Sequence, residues 1–339
     1  MRKASILLAL ALSLGTGRLA AAADAPIALQ GSGATFPAPL YQRWFQAFHD
    51  AHPDVQVNYQ PVGSGAGIQQ FTQGLVDFGA SDAAMTDEQI AAVPQGVVLL
   101  PMTAGTIVLT YNLPDAPKEL RLSREAYVGI FRGTITQWND PKIAAANPGV
   151  KLPADKITVV TRSDGSGTTF VFTNHLAAVS PEWKSGPGVG TTVSWPVGVS
   201  GKGNPGVAAL VKQTPGAIGY VEYAYAQQTG MPMALLQNKA GKYVTADLES
   251  ARTSLAGVQL PENLRAWLPD PDAPGAYPIV TYTWLLCYAH NKDPKKTETL
   301  KSLVRYGLTE GQSASAALGY VPLPPSVVAQ VMKAVDRIQ

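Results

Sequence analysis

Arg162 and Asp164 stand two residues apart in the stretch TRSDGSGTTF, and glycines and hydroxyls follow at once. A guanidinium is a permanent, planar cation whose fork of N–H donors fits an oxyanion. Asp164 is near enough along the chain to hold that fork in one direction. Behind it, Gly165 and Gly167 let the backbone come close to a ligand, and Ser166 and Thr168 add hydroxyls. One reading is a structural ion pair. The sharper one makes Arg162, Ser166, Gly167 and Thr168 partners of one anion, with Asp164 orienting the arginine.

Asp82, at the end of VDFGASD, has the wrong sign for such a site. An ionised carboxylate only accepts hydrogen bonds. It becomes useful where the anion still carries a proton. Phosphate does near neutral pH, since the second ionisation of a phosphate ester lies at roughly 6; sulfate does not. Asp82 would accept that proton and reject sulfate by setting acceptor against acceptor. The plainer alternative is a helix cap for the TDEQI segment that follows.

The elements that position these residues alternate short strands and helices, which implies an α/β fold. Strands are expected at 27–30, 55–62, 76–80 and 157–161. Helices are expected at 40–49, 68–73 and 168–176. Leu40, Trp44, Phe45 and Phe48 share helical spacing and read as core rather than as a stacking platform. Three times a strand runs into a glycine-and-hydroxyl loop that opens a helix, at 31–36, 63–67 and 164–168. A helix start leaves backbone N–H groups unpaired and carries partial positive charge. Each loop alone could be ordinary capping. Three in one chain favour an anion site built from several helix ends.

Several other chemistries are disfavoured. Neither Ser64 nor Ser166 sits in the G-x-S-x-G of a hydrolase elbow. SGKGN at 200–204 has Gly203 where a Walker loop needs Ser or Thr after the lysine, and GSGATF lacks the third glycine of a dinucleotide fingerprint. His49 and His52 have no carboxylate or cysteine cluster beside them and read as a solvated helix face. Tyr220, Tyr223 and Tyr225 in GYVEYAYA could line a cleft, but core or rim packing is the safer reading. Cys287, the single cysteine, lies in an apolar strand-like stretch and reads as a small buried hydrophobe.

The first 23 residues read as a secretory leader: Arg2 and Lys3, a short apolar run, then Ala21 to Ala23 before Asp24. Of 26 basic residues three lie in the leader, and none of the 24 acidic ones does, which leaves 23 against 24. Nothing in that balance suggests a nucleic-acid binder. The remaining length suggests about two domains at roughly 150 residues each.

GSGATFPAPLYQRW, VNYQPVGSGAG, VDFGASDAAMTDEQ, RSDGSGTTFVFTNHL, WPVGVSGKGNPGVAALV, PGAIGYVEYAYA and PLPPSVVAQV occur in this order. Together they make the chain resemble the periplasmic phosphate-binding proteins of high-affinity phosphate ABC transporters. The resemblance implies a two-lobed type II periplasmic-binding-protein fold with two crossover hinge strands. One lobe would comprise 24–103 and 281–339, the other 104–280. It implies Thr35 and Phe36 as ligands from the first loop, Phe36 through its backbone N–H, and Ser64 from the second. Asp82 would be the proton acceptor. Arg162, Ser166, Gly167 and Thr168 would complete the set, with Asp164 behind Arg162. Gly65 stands where many members carry a second serine. The implied partners are inorganic phosphate and an inner-membrane ABC permease with its ATPase. The receptor would be a periplasmic monomer without cofactor, metal or catalytic activity. Two rivals are a same-fold receptor for another oxyanion, such as sulfate or molybdate, and a secreted phosphatase.

Overall fold

The computed structural model describes residues 26–114 and 119–339. The expected leader lies outside the described residues. The strands are β1 (Ile27–Gly33), β2 (Val55–Gln60), β3 (Phe78–Ser81), β4 (Val97–Asn112), β5 (Arg121–Leu122), β6 (Thr158–Arg162), β7 (Val199–Gly201), β8 (Ala217–Glu222), β9 (Leu235–Gln237), β10 (Tyr243–Val244) and β11 (Val280–Tyr288). Eight of them form one sheet in the order β2-β1-β3-β11-β4-β8-β6-β7. The short strands β10, β9 and β5 make a second, three-stranded sheet.

Two lobes share the large sheet. β1, β2 and β3 pair in parallel on one side, and β6, β7 and β8 pair in parallel on the other. β4 joins them. Its residues up to Thr106 pair antiparallel with β11, and from Ile107 onward it pairs with β8. Between its two end residues β4 is buried throughout, as a central strand covered on both faces must be.

Helix Ala38–Ala51 packs Leu40, Tyr41, Trp44, Phe45 and Phe48 into the core, so the aromatic stripe is packing. The Trp44 ring N–H reaches the Gly311 carbonyl at 2.7 Å. Cys287 is fully buried in β11, and burial pushes its thiol up to about 12.

Two boundaries depart from expectation in an informative way. β1 runs on through Gly33, because Gly31, Ser32 and Gly33 pair with Phe78, Gly79 and Ala80. A Cβ on Gly31 would lie 2.1 Å from the Phe78 ring. These glycines thus serve the sheet before they serve the loop. Helix Ser64–Thr72 begins four residues earlier than its apolar pattern indicates, behind Gly63 at φ 100°.

Candidate anion-binding site

β6 ends at Arg162, and the chain turns through Asp164 into helix Gly167–Val179. Arg162 Nε donates to Asp164 Oδ1 at 2.8 Å and Nη2 to Oδ2 at 2.5 Å. The pair is a two-bond fork, and only 1% of the arginine side chain is exposed. The third nitrogen, Nη1, is buried with no hydrogen-bond partner. A buried, charged donor without a partner is costly, so this group is placed to meet an anion. Burial alone would raise the Asp164 carboxyl. The hydrogen bonds and charge of Arg162, with the Gly203 N–H, hold it below the usual carboxylate range. The structural pair is thus present through Nε and Nη2, and it leaves Nη1 available to a ligand.

The helix behind this loop is anchored at both ends. Ser166 caps it, its Oγ accepting from the Thr169 N–H at 3.0 Å, so its own hydrogen is what Ser166 can offer a ligand. Further along, His175 Nδ1 lies 2.7 Å from the Pro269 carbonyl and Nε2 lies 2.9 Å from the Tyr127 hydroxyl. A carbonyl can only accept, so Nδ1 carries the proton and Nε2 accepts. Burial lowers the His175 pKa to about 4, so the ring is neutral at pH 7.

The facing wall comes from the other lobe. Asp82 follows β3 and is 1% exposed. Its Oδ1 accepts from Thr283 Oγ1 at 2.8 Å, and its N–H donates to Ser64 Oγ at 3.3 Å. Burial pushes the carboxyl from 3.8 up to about 7; the Thr283 hydrogen bond and the Arg162 charge pull it down, and the Asp164 charge adds to the rise. Asp82 does not cap the following helix. Thr86 does, in a reciprocal capping box with Gln89, which overturns the plainer alternative.

The two walls touch. A Cβ on Gly167 would lie 2.5 Å from Ser64 Oγ and 2.7 Å from Asp82 Oδ2. The Gly65 N–H donates to the Gly165 carbonyl at 2.8 Å. A Cβ on Gly63 would lie 2.3 Å from Asp164 Oδ2. The cleft is closed, and glycine on both sides permits the approach.

Thr35 completes the constellation. Its Oγ1 accepts from the backbone N–H of Asn204 at 3.1 Å and from Asn204 Nδ2 at 2.9 Å. The Tyr225 hydroxyl donates to the Thr35 carbonyl at 2.5 Å. That carbonyl belongs to the peptide unit whose N–H is that of Phe36. In a trans peptide the two point in opposite directions, so Tyr225 fixes where the Phe36 N–H aims. The Phe36 ring is fully buried and packs against Tyr320, which leaves only its backbone for a ligand.

The PBP superfamily domain matches residues 20–310 of this chain. A phosphate-binding protein PstS of Pasteurella multocida (strain Pm70) is 40% identical over 306 residues, covering 89% of this chain and 88% of that protein. The chain belongs to the PstS family. Two solved structures share its fold at low identity. One is a high-affinity periplasmic phosphate-binding protein bound with phosphate at pH 8.5, with a TM-score of 0.75 at 20% identity over 91% of this chain and 93% of that one. The other is a phosphate-binding protein from Stenotrophomonas maltophilia, with a TM-score of 0.73 at 21% identity over 90% and 93%.

In this PstS-family chain the structure gathers Thr35, Ser64, Asp82, Arg162, Asp164, Gly167 and Thr168 in one place. It also adds residues that local sequence did not single out. Asn204 links Thr35 to Thr168, Thr283 holds Asp82, and Tyr225 reaches across to Thr35 rather than packing at a rim. Tyr220 is core and braces the arginine wall, its hydroxyl meeting the Arg162 N–H at 3.1 Å and Thr169 Oγ1 at 2.6 Å. Behind the site, the Tyr320 hydroxyl donates to the Phe36 carbonyl at 2.7 Å and lies 3.2 Å from Glu222 Oε2. The single hydroxyl hydrogen serves both acceptors, the nearer carbonyl more strongly. Burial raises the Glu222 carboxyl well above its ordinary value, while hydrogen bonds from the Ala224 N–H and the Tyr320 hydroxyl pull it down. His49 lies elsewhere, its Nδ1 2.6 Å from the Val55 carbonyl. Among the described residues no group of three His, Cys, Asp or Glu side chains is arranged to hold a metal.

Proposed function

We propose that this chain is a periplasmic receptor that binds inorganic phosphate between its lobes. It then delivers the phosphate to an inner-membrane ABC permease with its ATPase, acting as a monomer. The lobes are taken as 24–103 with 281–339, and 104–280. The observation that carries the reading is the unpartnered Nη1 of Arg162, buried in a closed cleft that also holds Asp82. One donates only and the other can accept a proton, which suits an anion that is charged and still protonated. Arg162, the hydroxyls of Thr35, Ser64, Ser166 and Thr168, and the N–H groups of Phe36 and Gly167 would donate to the phosphate oxygens. Asp164 holds Arg162 and offsets its charge. Asp82 near 7 and a phosphate whose second ionisation falls not far from roughly 6 would share one proton. The complex is then the same whether that proton arrives on the ligand or on the protein.

No step of the reading makes or breaks a covalent bond. Closure stabilises the ligand by desolvation and by paired donors, and release needs the permease to favour the open state. Calorimetric titration of protein stripped of ligand tests it. One-to-one binding of phosphate without sulfate heat is expected. Sulfate binding as tight as phosphate would move the protein to another oxyanion class, and turnover of a chromogenic phosphomonoester would support the phosphatase reading instead.

A further inference from the structure

Asn204 is the second residue of helix Gly203–Gln213, fully buried, with every polar atom of its side chain engaged. Its Oδ1 accepts from the Glu222 N–H at 2.9 Å. That bond sets which way the amide faces, so Nδ2 is turned to the hydroxyls. One Nδ2 hydrogen goes to Thr35 Oγ1 at 2.9 Å and the other to Thr168 Oγ1 at 3.2 Å. These hydroxyls come from opposite lobes.

A threonine hydroxyl has one hydrogen and two lone pairs. The Asn204 backbone N–H and amide fill both lone pairs of Thr35. Thr35 can therefore only donate to a bound anion, and Thr168, with one lone pair filled, is biased the same way. We infer that Asn204 is a positioning residue that fixes the Thr35 and Thr168 hydroxyls as donors and so leaves Asp82 to take the ligand's proton. This rests on the phosphate reading above. It also couples specificity to closure, because the Asn204 bonds to Thr35 cross between lobes and form only when the cleft shuts. In the open protein Thr35 is free to accept as well as donate.

The test is phosphate titration calorimetry on the full chain at pH 5 and pH 8. The proteins compared are the parent, Asn204→Ala, Thr35→Val and the double variant. Asn204→Ala should lose at least tenfold in affinity at pH 8 and distinctly less at pH 5. Hydroxyls free to accept a hydrogen bond tolerate the dihydrogen form that predominates in acid. In the Thr35→Val background the same substitution should cost less than half that factor. An equal loss at both pH values and in both backgrounds would mean a structural asparagine and overturn the inference. Melting in phosphate-free buffer checks that each variant folds; if Asn204→Ala does not, Asn204→Ser replaces it with the same expectations. If the parent binds no phosphate, the receptor reading fails first and takes this one with it. If the parent binds and Asn204→Ala binds equally well, only the inference about Asn204 fails.

Discussion

The two walls of the cleft contribute opposite kinds of group. The wall from the second lobe brings a cation, Arg162, and an aspartate already committed to it by two hydrogen bonds. The wall from the first brings an aspartate with no cation of its own, held by one threonine hydroxyl and pushed up to about 7. Asp164 and Asp82 are the same residue type in one site, and their surroundings drive them apart. On the proposed function, the arginine wall would supply attraction for any oxyanion, and the Asp82 wall would ask whether that oxyanion carries a proton. Attraction and selectivity would then sit on different lobes, and only closure would apply both.

Removing the cation tests the first half of this division. Arg162→Ala should weaken phosphate binding by about 3 kcal/mol or more, over a hundredfold, because it deletes a desolvated charge and strands Asp164. A calorimetric loss within about 1 kcal/mol would mean that the arginine is structural and the division false. Asp82→Asn tests the other half. An amide can donate to an unprotonated oxygen, so sulfate affinity should rise at least tenfold while phosphate falls by less than Arg162→Ala costs. If competition titration finds sulfate still rejected as strongly as by the parent, Asp82 does not read the proton.

The smallest expected effect concerns pH and the ligand-free protein. Asp82 has its pKa raised by folding, from 3.8 to about 7. The stability it contributes is full below the lower value and is lost as pH rises through the upper one, at most about 4 kcal/mol. His175 is shifted the other way, from 6.5 to about 4. Its contribution is full above 6.5 and is lost as pH falls towards about 4, by about 3 kcal/mol at most. The two run in opposite directions over nearly the same span and offset each other. Asp82→Asn should unmask the histidine, so that its melting temperature falls by several degrees more than the parent's between pH 7 and pH 4.5. Parallel melting profiles would show that Asp82 titrates near its ordinary value.

Local chemistry was legible in the sequence where a function sits within a few residues. Arg162 with Asp164, and the glycine-hydroxyl loops that open helices, are such cases. That Asp82 belongs with those loops was also legible, and the structure does bring it against Ser64 and Gly167. The partners of these residues were not legible, because the fold brings them from far away. Thr283 reaches Asp82 across 201 positions, Tyr225 reaches Thr35 across 190 and Asn204 reaches Thr35 across 169. The SGKGN stretch that contains Asn204 fails as a phosphate loop. It meets the site through a side-chain amide that no short pattern announces. Strand ends were read too short at Gly33, because glycine signals a turn even where it makes room for a neighbouring strand.

β4 has a consequence for how the molecule comes apart. It is a single strand of 16 residues whose first part is sheet for one lobe and whose last part is sheet for the other. Neither lobe can melt without stripping the ladder from its end of that strand, next to a core built from side chains of both. Heat should therefore unfold the protein in one cooperative transition with a calorimetric enthalpy matching the van't Hoff value, although the chain is organised as two bodies. A fragment cut at the crossover would inherit half a strand and an unpaired edge, and its hazard would be aggregation.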